Sequence, residues 1–279
     1  MLRLLHLLPK NYISHAFGKL VHSRLPFGFH RVVRDLFTKA YKLDLSDAEH
    51  PKAAYETLGD LFVRRLKPGA RPLAESPLIS PVDGTLTQVG RFQGASARLT
   101  QIKGLDYSLA DLAGPGWNLE GYRDGGYLTI YLAPYNYHRI HAPVTGTLSQ
   151  VTYIPGALWP VNTWSVANIP GLFVVNERIA VELASPFGRA MLVMVGATNV
   201  GRITLDFHAG IAGNQRPPSR DRLWRPAQGL DMQKGQGLGC FELGSTVILI
   251  LSKSLMDMVD PALASTLPKV MRMGQGLTP

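Results

Sequence analysis

The stretch that most constrains this fold is residues 241–251, which read Phe-Glu-Leu-Gly-Ser-Thr-Val-Ile-Leu-Ile-Leu. Its apolar, β-branched second half predicts a buried strand. Gly244 and Ser245 stand at the start of that strand, where glycine allows a strained backbone and the serine hydroxyl can reach the preceding carbonyl. A Gly-Ser-Thr step at a strand edge needs no chemical role, but this geometry also suits attack by Ser245 Oγ on the Gly244 carbonyl.

Such an attack would replace the amide between Gly244 and Ser245 by an ester. β-Elimination from the ester would release chain 1–244. The dehydroalanine left at position 245 would then hydrolyse to a pyruvoyl group on chain 245–279. This interpretation makes Gly244 and Ser245 the cleavage site, and it makes Ser245 the precursor of a covalent pyruvoyl cofactor.

Composition limits the class of protein. A chain of 279 residues, 46% of them hydrophobic, can bury a full core in one domain. Its single Cys240 excludes an intrachain disulfide and fits a reducing cytoplasm. Apolar runs stop short of the roughly 18 residues of a transmembrane helix. Residues 1–9 make a poor secretory signal because Arg3, His6 and Pro9 interrupt them.

The formal net charge of +9 is concentrated at the amino-terminal end. Residues 1–42 hold eight Lys and Arg side chains and one acidic residue, Asp35, so they carry +7 and the rest carries +2. Apolar and basic positions interleave over 2–24 and 27–42, a pattern typical of interfacial amphipathic helices. We expect residues 1–45 to associate with an anionic membrane surface. Helices packed on the body with a solvated basic face, or a basic arm for nucleic acid, are the alternatives.

Residues 46–279 have the pattern of one mainly β domain. A helix is predicted over 47–66, and the short β-like runs of 78–251 alternate with Gly and Pro, which predicts mostly antiparallel sheet. Residues 81–89 repeat at 143–151 with seven of nine positions identical, which predicts two similar hairpins about an approximate twofold axis. We therefore expect an α+β fold with amphipathic amino-terminal helices on an internally duplicated, mostly antiparallel β barrel-sandwich.

The two repeats differ at chemically useful positions. Asp83 in the first copy corresponds to Thr145 in the second, and His141 shortly precedes the second copy. Packing about an axis would let Asp83 and His141 face each other. An Asp–His–Ser set activates a hydroxyl because the imidazole takes its proton and the carboxylate stabilises the imidazolium. A turn aspartate and a strand-edge histidine are the structural alternative. His138 and His141 would face opposite sides of a strand, which argues against a shared metal ion.

Four motifs stand in a family-like order: Pro81-Val82-Asp83-Gly84, Tyr137-His138-Arg139-Ile140-His141, Lys234-Gly235-Gln236-Gly237 and Leu243-Gly244-Ser245-Thr246. With them the chain closely resembles the bacterial phosphatidylserine decarboxylases, which are pyruvoyl-dependent enzymes. The similarity spans approximately residues 50–255. The segment Asn176-Glu177-Arg178 also matches the family, either as pocket wall or as a structural turn.

The resemblance implies three catalytic side chains: Asp83, His141 and Ser245. It gives His138 and Thr246 supporting roles. It also implies decarboxylation of phosphatidylserine to phosphatidylethanolamine in phospholipid biosynthesis, with the pyruvoyl group as electron sink and His141 as proton donor. A homodimer, a peripheral position on the cytoplasmic side of the cell membrane, and no metal or nucleic acid complete these expectations.

Two other functions fit the sequence. A pyruvoyl-dependent decarboxylase of a soluble amino acid would share the self-cleavage, but it would have no use for the basic, apolar end. A non-enzymatic binding module for membrane or nucleic acid would remain one intact chain.

Overall fold

The computed structural model describes residues 10–93, 97–101, 105–198, 202–214, 223–242 and 245–279. Of the residues named above, 1–9, Leu243 and Gly244 lie outside the described residues, as do 102–104, 199–201 and 216–222. The described part is a mixed α+β fold whose sheets are mostly antiparallel, which confirms the predicted class.

The helices and strands are numbered in chain order through the described residues. The α-helices are α1 (Lys10–His22), α2 (Phe29–Ala40), α3 (Leu58–Phe62), α4 (Leu109–Ala113), α5 (Thr163–Asn168), α6 (Leu172–Val175), α7 (Lys253–Asp257) and α8 (Ala262–Ser265). The strands are β1 (Gly84–Arg91), β2 (Arg98–Gln101), β3 (Leu105–Ser108), β4 (Gly126–Leu132), β5 (Arg139–His141), β6 (Gly146–Ile154), β7 (Arg178–Ser185), β8 (Gly188–Gly196), β9 (Ile203–Leu205), β10 (Leu223–Trp224), β11 (Leu230–Met232), β12 (Gly237–Phe241), β13 (Ser245–Leu251) and β14 (Lys269–Met271).

A large open sheet forms the centre of the molecule. Its nine strands run in the order β10-β6-β7-β8-β13-β4-β1-β14, with β11 also paired to β6. Strand β13 lies in the middle between β8 and β4, and all seven of its residues are buried, which confirms the predicted strand. The predicted barrel is wrong, because β14 and β10 end the sheet without pairing to each other in the described chain.

An apolar core covers each face of the large sheet. Successive side chains of β13 point to opposite faces, so they pack alternately into the two cores. Val247, Leu249 and Leu251 pack into the first core, which also contains residues of the small sheet β5-β12-β9. Ile248 and Ile250 pack into the second core, on the side of α4, α5 and α6. By the same alternation Ser245 belongs to the first face, beneath the small sheet.

The helix predicted over 47–66 is wrong in extent. Only α3 forms there as an α-helix, and a short 3-10 turn covers Lys52–Ala54. The start of α3 is fixed by a capping box, in which the Thr57 hydroxyl accepts from the Asp60 amide and the Asp60 carboxylate accepts from the Thr57 amide. The spacing of Thr57 and Asp60 in the sequence is that of a capping box, which indicates a helix that begins at Leu58.

The amino-terminal helices pack against α3 through one side only. Val21 is buried with Leu58, Leu61 and Phe62 in a small apolar cluster, and Arg34 is buried where it donates to the Tyr55 carbonyl. Other apolar side chains of this region remain exposed: Leu20, Phe27, Phe29, Val32 and Leu36. No helix within the described ranges is long and apolar enough to cross a bilayer.

Candidate active site

Ser245 is the first residue of β13 and is fully buried. It lies opposite Leu132 of β4 and Gly196 of β8. Its Oγ has no hydrogen-bond partner among the described residues, and neither has Thr246 Oγ1. Because buried hydroxyls are nearly always hydrogen-bonded in native proteins, two successive unpartnered hydroxyls mark this strand start as a functional candidate.

Asp83 lies in the turn before β1 and is held by an arginine that the sequence did not indicate. Its carboxylate accepts from Arg71 Nε at 3.0 Å and Nη2 at 2.7 Å, and from the Met273 amide at 2.8 Å. Arg71 also donates to Asp47 at 2.7 Å. The guanidinium fork fits the carboxylate in two places, so the Asp83 side chain is fixed in the turn.

His141 makes two hydrogen bonds that define its tautomer. Nδ1 is 2.8 Å from the Gly235 carbonyl oxygen, which can only accept, so Nδ1 carries the proton. Nε2, 3.1 Å from Tyr137 Oη, then accepts from that hydroxyl. Burial lowers the pKa of His141, and the hydrogen bond to Gly235 acts in the opposite direction. The neutral imidazole is therefore favoured, which is the form a proton acceptor needs.

The predicted direct pairing of Asp83 with His141 is wrong for this state of the chain. Both ring nitrogens of His141 have other partners, and the Asp83 carboxylate contacts Arg71 and Met273. The physical reason is that Arg71 offers Asp83 charge-assisted bonds, which are stronger than a bond to a neutral imidazole. The Asp83 charge still acts on His141 through space, in the direction that raises the pKa of the ring.

His138 immediately precedes β5 and is fully buried. Nδ1 is 2.9 Å from the Asn136 carbonyl oxygen and so carries the proton, while Nε2 has no partner in the described chain. Burial lowers the pKa of His138 to about 3, and the ring packs 4.5 Å from that of Phe62. His138 is thus a neutral imidazole with a free lone pair in a dry environment. Within the described ranges, no group of three or more His, Cys, Asp or Glu could hold a metal ion.

Glu177 is a further candidate that sequence reasoning left undecided. The Gly196 amide donates to the Glu177 carbonyl at 2.9 Å, and Gly196 lies opposite Ser245 in the next strand. Glu177, Gly196 and Ser245 therefore form a row across the first face of the large sheet. The Glu177 carboxylate is buried and accepts from Tyr153 Oη and the Asn214 amide. Burial raises its pKa to about 6. Gly196 places no side chain between Glu177 and Ser245.

A polar cavity of about 380 Å³ opens beside His141. Its polar wall includes Arg65, Lys67, Arg71, Tyr137, Arg139, His141 and one carboxylate, Asp206. We refer to the space that these seven residues line as the cationic cavity. It combines a neutral imidazole with positive charge, an arrangement suited to an anionic substrate.

Comparison with known proteins identifies the family. The family model for phosphatidylserine decarboxylase matches residues 58–278. A phosphatidylserine decarboxylase proenzyme of Anaeromyxobacter sp. (strain K) is 41% identical over 262 residues, covering 93% of this chain and 92% of the relative. The proenzymes of Myxococcus xanthus (strain DK1622) and Shewanella pealeana (strain ATCC 700345 / ANG-SQ1) are both 39% identical, covering 89% and 97% of this chain and 88% and 94% of their own. The chain belongs to the phosphatidylserine decarboxylase family.

Proposed function

We propose that this protein is a carboxy-lyase that converts phosphatidylserine to phosphatidylethanolamine and carbon dioxide. The observation that carries the proposal is the family match, which spans residues 58–278 and so includes all four motifs. The relatives described above are all named as proenzymes of this activity. A decarboxylase of a soluble amino acid has no comparable support.

Self-cleavage between Gly244 and Ser245 is the proposed route to the pyruvoyl group. Ser245 Oγ adds to the Gly244 carbonyl and displaces the amide nitrogen, which receives the hydroxyl proton. Loss of the Ser245 α-proton then breaks the bond from Cβ to the ester oxygen and releases the carboxylate of chain 1–244. Hydrolysis of the resulting dehydroalanine releases ammonia and leaves the pyruvoyl group on chain 245–279. Once formed, that group would supply an electron sink for the loss of carbon dioxide.

The residues fit this chemistry. Ser245 Oγ has no partner among the described residues, so it has no hydrogen bond to any of them that must break before it attacks. Its burial keeps bulk water away from the ester, which would otherwise hydrolyse to serine. Thr246 has the supporting role of holding the strand start in the sheet, where it pairs with Tyr131 and Val195.

His141 is the proposed base for the Ser245 hydroxyl and the later proton donor. Its Nδ1 proton is fixed on Gly235, so Nε2 is the nitrogen that can take a proton after Tyr137 Oη moves aside. Asp83 would stabilise the imidazolium through its field, and Arg71 partly offsets that field. His138, neutral and buried, would offer Nε2 as a second acceptor close to the sheet.

Residues 1–45 are proposed as a membrane-associating region, with 46–279 as the catalytic domain. Phe27 is 99% exposed, and Phe29, Val32 and Leu36 of α2 are each more than half exposed beside basic side chains of the same helix. Two effects would hold this region at the membrane: its apolar side chains would be buried in the interface, and its basic side chains would be attracted to anionic lipid. The attraction contributes about 1 kcal/mol per basic group near the surface. The proposed location is the cytoplasmic side of the membrane. The proposed oligomeric state is a homodimer, which light scattering of the purified protein would measure.

We also propose that the large sheet is internally duplicated, as the repeat predicts. Strand β1 lies between β4 and β14, and β6 likewise pairs with β7 and β11. Each strand shifts register at the same repeat position, between Leu86 and Gln88 in β1 and between Leu148 and Gln150 in β6. Strands β8 and β13 would then meet at the axis, and Asp83 would occupy a turn whose counterpart lost its carboxylate.

A denaturing gel and intact mass of the purified protein test the proposal. Wild type should give chains 1–244 and 245–279, with the smaller chain lacking a free amine, and should release carbon dioxide from phosphatidylserine vesicles but not from free serine. Ser245→Ala should remain one inactive chain. Ser252→Ala, at another buried serine just beyond β13, is the matched control and should cleave normally. A fully active wild type that stays uncleaved would exclude the mechanism.

A further inference from the structure

The cationic cavity carries more positive charge than its neighbours neutralise. Arg139 pairs with Asp206 at 2.7 Å, and Arg71 pairs with Asp47 and Asp83 at 2.7 Å each. Arg65 and Lys67 form no ion pair with any described residue, and Lys67 Nζ donates only to the Ser46 carbonyl at 2.8 Å. The positive charge that no described carboxylate neutralises therefore lies at residues 65–67, which form the rim of the cationic cavity.

The shape and chemistry of the cavity fit a phosphate. Its volume of about 380 Å³ lies within the roughly 300–1,000 Å³ typical of small-molecule sites. A guanidinium offers a fork of donors that matches two phosphate oxygens, and a lysine adds a mobile point charge. The other walls bring His141 and the Tyr137 hydroxyl into the same space, so an anion at the rim would lie beside the proposed acid–base group.

The rim also lies on the side of the amino-terminal helices. Residues 65–67 begin three positions after the end of α3, and α3 packs against α1 and α2 through Val21, Leu58 and Phe62. The rim is therefore only a few residues along the chain from the helix that packs against the proposed membrane-associating region. The apolar cavity beneath β4 and β13, lined by Thr129 and Thr246, is smaller, at about 60 Å³, and none of its described lining residues is charged.

We propose that the cationic cavity binds the phosphodiester of the substrate headgroup, with Arg65 and Lys67 making the direct contacts. This inference rests on the proposed function, because it names the subsite that holds the non-reacting part of that substrate. The phosphate contact orients the headgroup so that its amino-acid end points inward past Tyr137 and His141. Because the phosphate does not react, this contact is equally strong in the bound substrate and in the transition state, so it contributes to KM and not to kcat.

The test uses cleaved enzyme and a short-chain phosphatidylserine below its micelle concentration, which separates headgroup binding from membrane binding. Arg65→Gln and Lys67→Gln, alone and together, should each raise KM by about tenfold or more, the change expected from losing a charge-assisted hydrogen bond. The value of kcat should stay within about twofold. The charge-matched control is Arg98→Gln with Arg123→Gln, two exposed arginines that line a different cavity, and it should leave KM unchanged.

Inhibition distinguishes a headgroup site from a site for free phosphate. Glycerophosphoserine should compete with substrate in wild type, and its inhibition constant should rise in Arg65→Gln and Lys67→Gln in parallel with KM. The proposal would be overturned if inorganic phosphate bound to wild type and not to the variants while the variants kept the wild-type KM. That result would identify a site for free phosphate. The proposal would also be overturned if the double variant kept both the wild-type KM and the wild-type inhibition constant for glycerophosphoserine. Failure of wild type to cleave or decarboxylate would instead reject the proposed function, and calorimetric titration with glycerophosphoserine would then test the cavity alone.

Discussion

Replacing Glu177 by Gln should remove a pH-dependent destabilisation from the centre of the fold. Burial raises the pKa of Glu177 to about 6 from a usual value of 4.5. A carboxyl whose pKa is raised on folding contributes no penalty below pH 4.5, where both states are protonated. The penalty grows as the pH rises through 6 and is then complete.

The magnitude follows from the shift. The difference of 1.5 between 6 and 4.5 corresponds to about 2 kcal/mol at neutral pH, at 1.36 kcal/mol for each pKa unit. A glutamine retains an oxygen that can accept from Tyr153 Oη and the Asn214 amide, so the hydrogen bonds survive while the charge is lost. We therefore expect Glu177→Gln to gain about 2 kcal/mol of unfolding free energy over Glu177 between pH 4.5 and pH 7.5.

Urea unfolding across that pH range measures the effect, with both variants in the Ser245→Ala background so that each protein is one chain. Glu120→Gln is the control, because the Glu120 side chain is 81% exposed and should give a difference independent of pH. A Glu177→Gln difference that is the same at pH 4.5 and pH 7.5 would refute the reasoning. It would mean that the carboxylate is solvated or paired in solution.

Three further predictions concern the site and the helices. Asp83→Asn should slow cleavage, measured by gel time course, and also destabilise the fold by about 2 kcal/mol, because the partly buried Arg71 loses a charge-assisted pair of hydrogen bonds; unchanged stability would mean that the pair makes no net contribution to the fold. Ser245→Ala should abolish cleavage and raise the free energy of unfolding, measured in urea against uncleaved wild-type chain, by about 1 kcal/mol or more, because it removes a buried hydroxyl with no partner among the described residues; an unchanged value would mean that the hydroxyl is hydrogen-bonded in solution. Phe27→Ser with Leu36→Ser should weaken sedimentation with anionic vesicles by about tenfold or more and spare cleavage, because both side chains are exposed; equal binding would assign the helices a packing role only.

Local pattern predicted those parts of the molecule that depend on local sequence. The apolar run that begins at Val247 had to be a buried strand, and it became the central one. The alternation of short β-like runs with Gly and Pro correctly indicated antiparallel pairing. The capping pair of Thr57 and Asp60 is equally local, and it makes the helix begin later than the predicted start at residue 47.

The arrangement of the site could not be predicted in the same way. Arg71 reaches Asp83 across twelve positions, and Met273 reaches it across 190. No periodicity links such positions, so the sequence could supply Asp83 and His141 as residue types but not their partners. The open edge of the large sheet likewise depends on where β14 and β10 stop, which is a matter of long-range packing.

The position of Ser245 also bears on how a cleaved chain could remain one protein. Strand β13 pairs along all seven of its residues with β4 on one side and with β8 on the other. Its apolar side chains are fully buried in both cores, and β14, beyond it in the same segment, pairs with β1. Removing the bond to Gly244 cuts none of these contacts, since the cut lies just before the first paired residue. The new terminus at position 245 would stay fixed at the strand start by backbone pairing on both sides, which gives a reactive group there the rigid placement that catalysis requires.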